Sequence, residues 1–369
     1  MTENWYVIKD IETLDTPALV IYPERVKHNI DLAIEMIGDV SRLRPHVKTH
    51  KCREAALLML DAGITKFKCA TIAEAEMLGL CNAPDVLLAY QPIGPKLERF
   101  IKLIKAYPDT QYSCLVDNMA AATHISEEAV KKTLQIMIYI DLNVGQNRTG
   151  IVPEEALKLY WECDKLPGIK LAGLHAYDGH IHDTDLHTRI QKCNAAFEQV
   201  VKLEHDIKLR DLRHPVIITG GSPTFPIHAK RETVECSPGT FVYWDRGYSL
   251  MCAEQRFLPA AVVVSRVISL PEERKICLDV GHKSVSAEND IGKRIYFLNA
   301  PELKMVSQSE EHLVCEAGGG HHYKVGDVLY GLPYHVCPTI ALYERAITIE
   351  NGNISGEWRN IARDRKITI

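Results

Sequence analysis

The sequence predicts an α/β fold: a (β/α)8 TIM-type barrel joined to a mostly antiparallel β domain. Between about residues 40 and 240, short apolar or β-branched runs alternate with longer stretches of helical period, as parallel strands joined by crossover helices require. The runs end near Val47, Ala70, Ala89, Val116, Asp141, His175, Thr219 and Cys236, giving the eight strand-helix units of a closed barrel. After Met251 the texture changes to short apolar runs split by Gly, Pro and charged turns, the signature of a second, β-rich domain. A doubly wound open sheet is the rival architecture. It wants fewer units and a G-x-G-x-x-G turn after its first strand, which is missing here.

Taken in order, PALVIY at 17–22 reads as a strand and ERVKHNIDLAIEMIG as a helix ahead of the first barrel strand. That early strand can pair with the late β domain. Within the barrel, EAALLMLDAG, AEAEMLGLC, KLERFIKLIKAY and EEALKLYWECDKL carry apolar residues at helical spacing. Beyond it, LPAAVVVSRVISL, KICLDVG, HLVCEAGG and GDVLYGLPYHVC read as strands. The expected division is a barrel over 23–250 and a β domain built from 1–22 and 251–369.

Composition narrows the function. A chain of 369 residues exceeds one small domain, and 46% hydrophobic with 25% charged residues supplies the core of a soluble enzyme. A net charge of -5 leaves no electrostatic footprint for nucleic acid or anionic lipid, so the expected partners are small molecules. The opening MTENWYVIKDIETLD has no basic region followed by an apolar run, and no stretch reaches membrane-spanning length. The 11 cysteines are irregularly spaced without C-x-x-C, which argues against a disulfide framework or zinc ribbon and for a reducing cytoplasm.

Barrel chemistry sits at the C-terminal ends of strands. Lys48, in R-P-H-V-K-T-H-K, closes the first strand among basic and imidazole groups. Nearby charges on Arg44 and Lys51 disfavour its ammonium, which makes it a candidate to attack the aldehyde of pyridoxal phosphate. The alternative reading is a basic, solvated strand end. Thr219-Gly220-Gly221-Ser222 follows the seventh strand and Pro238-Gly239-Thr240 the eighth, where barrel phosphate sites form; two glycines admit an anion to the backbone, and Ser222 and Thr224 offer hydroxyls. Arg148 can hold an oxyanion or pair with Asp141. Tyr177, His180 and His182 cluster after the sixth strand as acid-base or stacking groups. His335 and Cys337, two apart in an extended L-P-Y-H-V-C-P-T, can share one ion with positions left open for water and substrate. His321 and His322, after three glycines, read as loop residues.

The motifs P-H-V-K-T-H-K, G-L-H-A-Y-D-G-H, T-G-G-S-P-T, S-P-G-T-F-V-Y-W-D, L-D-V-G-H-K-S and P-Y-H-V-C-P-T keep their order from about Asp15 to Glu344. In this the chain resembles the D-threonine aldolase and D-serine dehydratase family of fold-type III pyridoxal phosphate enzymes, related to alanine racemase through the barrel. The resemblance implies that Lys48 carries the cofactor beside Arg148 and Tyr177. It also implies that Thr219, Gly220, Gly221, Ser222, Gly239 and Thr240 serve the phosphate, and that His335 and Cys337 bind a divalent metal next to the cofactor. The His-x-Cys pair is similar to the zinc-dependent dehydratase branch, with manganese or magnesium as alternatives. His175 stands where many relatives carry glutamine, and the K-A-N-A-Y-G signature of alanine racemases is absent.

The implied activity is a lyase on β-hydroxy D-amino acids, working as a homodimer. If the freed Lys48 removes the α-proton, hydroxide leaves and the substrate is dehydrated; if His180 or His182 removes the hydroxyl proton, the α-β carbon bond breaks. An amino-acid racemase and a non-catalytic pyridoxal phosphate carrier are the alternatives.

Overall fold

β-Branched runs and amphipathic stretches fold where their periods place them. The computed structural model describes residues 4–210 and 214–369. In chain order it contains β1 (Ala18–Ile21), α1 (Pro23–Ile37), α2 (Arg53–Asp61), β2 (Lys66–Cys69), α3 (Ile72–Leu80), β3 (Asp85–Leu88), α4 (Pro95–Ala106), β4 (Gln111–Val116) and α5 (Met119–Lys131). Then come β5 (Ile136–Asp141), α6 (Pro153–Cys163), β6 (Ile169–Ala176), α7 (Leu186–Lys208), β7 (Val216–Thr219), α8 (Phe225–His228), β8 (Val234–Cys236) and α9 (Arg246–Met251). The remainder is β-rich: β9 (Ala261–Glu272), β10 (Lys275–Leu278), β11 (Ile295–Phe297), β12 (Lys304–Gln308), β13 (Leu313–Glu316), β14 (Val328–Pro333), α10 (Val336–Ile340), β15 (Arg345–Glu350) and β16 (Asn353–Arg359).

Contacts divide the chain into two units, one of Ala33–Lys48, Ala56–Gly239 and Asp364–Ile369, the other of the residues up to Leu32 with Thr49–Ala55 and Thr240–Arg363. In the first, β2 to β8 form a seven-stranded sheet in sequence order, parallel throughout. Residues 43–47 close it into a barrel. Leu43 bridges Cys236 of β8 and His46 bridges Lys68 of β2, with the Arg44 and Val47 N–H groups donating to the Cys236 and Lys68 carbonyls, both at 2.9 Å. This eighth stave is a pair of bridges rather than a full strand because Pro45, at its centre, has no N–H to give. At the strand starts the buried Arg44 guanidinium donates to both Asp85 oxygens (2.6 and 3.0 Å) and to Glu235 (2.7 Å), which also pairs with Lys66. Leu87, Leu115, Tyr139 and Ile218 fill the interior above this ion cluster.

The helices begin on local signals. The Thr71 hydroxyl accepts from the Glu74 N–H (3.1 Å) while the Glu74 carboxylate accepts from the Ala70 N–H (2.7 Å), a reciprocal cap that starts α3. Pro95 opens α4, and the Asn118 and Asp185 side chains cap α5 and α7.

In the second unit, the strand at 18–21 pairs with the late β domain, antiparallel to β9 and parallel to β15. The sheet runs β12-β13-β10-β9-β1-β15-β16, with β14 also on β9 and β11 on β14; every other pairing is antiparallel. Val20, Val262, Val264, Tyr330 and Ile349 form its core with Tyr6 and Leu14.

Candidate active site

A cavity of about 740 Å³ opens at the C-terminal ends of the barrel strands, lined by charged groups that include Lys48, Lys68, Asp117, Asp141, Arg148 and His175. Its size suits a small ligand with a cofactor. Lys48 lies in the turn after Val47, half-buried, its N–H donating to His46 Nδ1 at 3.2 Å. Arg44, one of the charges expected to act on it, is committed to Asp85 and Glu235 at the other end of the stave.

Lys68, which the sequence reading passed over, is the charge that shares the cavity. It projects inward from β2 with 2% of its surface exposed, and its Nζ stands 5.3 Å from the centroid of the Tyr177 ring. Burial pushes its pKa down to about 7, with repulsion from Lys48 adding to the effect.

Arg148 also reaches Tyr177, its guanidinium carbon 5.3 Å from the ring centroid, so two cations address one aromatic face system. Asp141, the partner considered for Arg148, instead accepts from His175 (2.7 Å) and Gln91 (3.0 Å). Burial raises the Asp141 pKa, but the hydrogen bonds from His175, Thr149 and Gln91 outweigh it and hold the carboxyl below its ordinary value. His175 moves down as well: burial disfavours its charge more than Asp141 supports it. His175 Nδ1 and Asp141 Oδ1 thus meet at 2.7 Å with both groups moved toward lower pKa. This contact leaves His175 Nε2 buried and, among the described residues, without a hydrogen-bond partner, on a residue that lines the cavity.

Behind Tyr177 lies the Thr219–Ser222 turn. Gly220 has φ +79°, and a Cβ on Gly221 would meet the Tyr177 ring at 3.0 Å. A Cβ on Gly239 would meet the His46 carbonyl oxygen at 2.9 Å, and the Gly239 N–H donates to Ser222 Oγ at 3.3 Å. Two of the expected hydroxyls are otherwise engaged: Thr219 donates to the Ala176 carbonyl and Thr224 to Asp178, at 3.0 and 2.8 Å. Asp178 also binds His228 (2.8 Å), whose ring contacts Cys193 (3.2 Å), a buried trio hydrogen-bonded among its own members. His180 packs against Gly145, whose Cβ would approach its Nε2 to 2.7 Å, and His182 is exposed; neither lines the cavity, whereas Tyr177 does. Arg365, unforeseen, reaches the rim from closing residues that the buried Glu76 fixes by accepting from the Thr368 N–H at 3.0 Å.

In the second unit, His335 is not in an extended run with Cys337. It caps α10, and Cys337 lies in the helix's first turn. Pro338 at the third helical position and the Asp245 carboxylate accepting the Val336 N–H (3.0 Å) favour this over a continued strand. The pair still works together. Burial lowers the His335 pKa, but Cys337 and Glu288 override it and lift the imidazole to about 9. Glu288 binds His335 Nδ1 directly and is a third donor the spacing did not reveal. Cys337 Sγ lies 3.1 Å from Thr49 Oγ1 and 3.9 Å from Thr240 Oγ1. Imidazole and thiol suit a borderline divalent ion such as zinc, but with Glu288 they do not bring three ligand atoms mutually within 4.8 Å; among the described residues Asp178, Cys193 and His228 do.

Comparison with known proteins is consistent along the whole chain. The family described as "Alanine racemase, N-terminal domain" matches residues 21–247, and a "Putative serine dehydratase domain" matches 260–349. The D-threonine aldolase of Arthrobacter sp. is 28% identical over 359 residues, covering 95% of this chain and 93% of the relative. The D-threo-3-hydroxyaspartate dehydratase of Delftia sp. (strain HT23) is 24% identical, covering 90% and 93%. Among solved structures, D-threonine aldolase from Filomicrobium marinum superposes with a TM-score of 0.87 at 23% identity, covering 95% of this chain and 96% of that one.

Proposed function

Because the chain belongs to the alanine racemase N-terminal-domain family, we infer that it is a pyridoxal-phosphate- and metal-dependent lyase acting on β-hydroxy D-amino acids. The observation that carries this is an amine, Lys48, in a barrel cavity whose other walls supply Arg148 and Tyr177, with a glycine turn packed behind the tyrosine. The residues suit the cofactor: Lys48 would anchor it, Arg148 and Tyr177 would contact it, and Gly220, Gly221, Ser222, Gly239 and Thr240 would hold its phosphate. Thr219 supports that turn from below through its bond to Ala176. When bound, the pyridine ring takes up the electron pair released at the substrate α-carbon.

The chain's own groups move the protons. Lys48, once free of the cofactor, would take the α-proton, the route to dehydration. The other route, to glycine and an aldehyde, needs a base for the hydroxyl proton; His180 and His182, expected in that role, do not line the cavity. His335 and Cys337 would hold a divalent metal, which would supply Lewis acidity toward the β-hydroxyl. The Arthrobacter and Delftia relatives, an aldolase and a dehydratase, span the same two outcomes. The eleven cysteines, none in a disulfide, suit a reducing cytoplasm.

The test is direct. Purified protein is loaded with pyridoxal phosphate, reduced with borohydride and peptide-mapped, then assayed with D-threonine and D-serine with and without chelator. The expected results are a pyridoxyl group on Lys48, either glycine with aldehyde or oxo acid with ammonia, and loss of turnover on metal removal. A Lys48→Ala protein that still acquired the group at this turn would overturn the anchor assignment. Absence of product from every β-hydroxy D-amino acid tried would overturn the lyase.

A further inference from the structure

One buried polar cluster of the barrel has no part in the proposed function. Asp178 follows β6, Cys193 lies on α7 and His228 ends α8, each at most 3% exposed. His228 Nε2 stands 2.8 Å from Asp178 Oδ2 and 3.2 Å from Cys193 Sγ, which are 3.8 Å from each other; Thr219 Oγ1 is 3.5 Å from the same nitrogen. An imidazole nitrogen carries one proton or one lone pair, so it cannot serve three neighbours at once. A cation among them can. Three atoms so spaced share a point about 2 Å from each, the length of a zinc bond to nitrogen or oxygen and slightly short of one to sulfur. The same four residues line a void of about 10 Å³ whose apolar walls include Val144 and Phe197. That is room for a bare ion and not for a hydrated one.

We propose that Asp178, Cys193 and His228 form a structural zinc site in the barrel wall, separate from His335 and Cys337 of the other unit. On binding, the Cys193 S–H bond breaks and a sulfur–zinc bond forms, the proton leaving to solvent. The imidazole proton passes from Nε2 to Nδ1. One thiolate and one carboxylate then balance the dication, so the buried centre is neutral. Thr224 donates to the other Asp178 oxygen at 2.8 Å and orients the carboxylate. Thr219 gives its own proton to the Ala176 carbonyl and keeps its lone pairs as a fourth donor. The ion would pin the ends of β6 and β7 to α7 and α8. It would do so next to Tyr177 and behind the glycine turn, where a Cβ on Gly220 would come within 3.0 Å of the His228 ring. The site stands whether or not Lys48 anchors a cofactor.

The test uses the full chain carrying His335→Ala and Cys337→Ala, which removes the other candidate ligands. It is isolated from zinc-supplemented culture, and separately refolded with zinc; after dialysis, metal per chain is measured by plasma mass spectrometry, with circular dichroism to verify folding. Close to one zinc per chain is expected, and its loss when Cys193→Ser or Asp178→Asn is added. Cobalt in place of zinc is expected to give a sulfur-to-metal charge-transfer band in the near ultraviolet. This reading needs no change within the trio, and a bound cobalt without that band overturns the site. Absence of metal from the folded double variant by both routes overturns it too and leaves the trio a hydrogen-bonded cluster. A zinc held undiminished after Cys193→Ser lies elsewhere and overturns it as well. None of these results bears on Lys48, whose labelling by pyridoxal phosphate is read separately.

Discussion

Burying a lysine without a carboxylate partner costs stability, and Lys68 sets out that cost residue by residue. Its folded pKa of about 7 lies below the roughly 10.4 of an exposed lysine. Between those values the unfolded chain binds the extra proton, so stability from this group rises with pH across that window and is lost as pH falls toward 7. Lys68→Met is therefore expected to raise the unfolding free energy by about 2–4 kcal/mol at neutral pH, with the gain shrinking as pH rises above 7 and gone above about pH 10. Urea unfolding at several pH values checks this. The sequence did contain a sign of it. In K-F-K-C the two lysines share one face of β2 while Phe67 and Cys69 are fully buried on the other. A charged strand face normally reads as solvated; in a closed barrel it points into the lumen. Lys48 was legible because it ends its stave, where barrel chemistry is sought, whereas Lys68 lies inside a strand.

Among the elements, the closing stave carries the most consequence per residue. Eight staves could be counted from the apolar runs, but not that the first would survive as two bridges around Pro45, because its partners are the far ends of the sheet. Arg44 holds these ends together through Asp85 and Glu235. Truncating one member of a buried ion pair strands the others, so Arg44→Met is expected to destabilise the fold by about 3–5 kcal/mol. Calorimetry of Arg44→Met, Glu235→Gln and the double variant measures it, with the double expected to lose less than the sum of the singles. The same reasoning explains α10. Alternation through Y-H-V-C suggested a strand, yet Pro338 and the distant Asp245 turn the segment into a helix, and Glu288, 47 residues away from His335, became a neighbour only in the fold.

For the molecule as a whole, periodicity was enough to separate a parallel barrel from an antiparallel β domain and to join β1 to the latter. β12 and β16 were missed because they are mostly exposed and carry few apolar residues, and the buried β11, Ile-Tyr-Phe, because three residues are too short a run to register. Cysteine was informative at this scale too: ten of the eleven thiols are buried, and Cys337 is the exception. That gives the chain a built-in reporter. A maleimide added to folded, metal-stripped protein is expected to label one thiol per chain, at Cys337, and a bound ion to block it. Counting label by intact mass would then give the occupancy of the His335–Cys337 centre without any substrate, and a ranking of metals by the protection each confers.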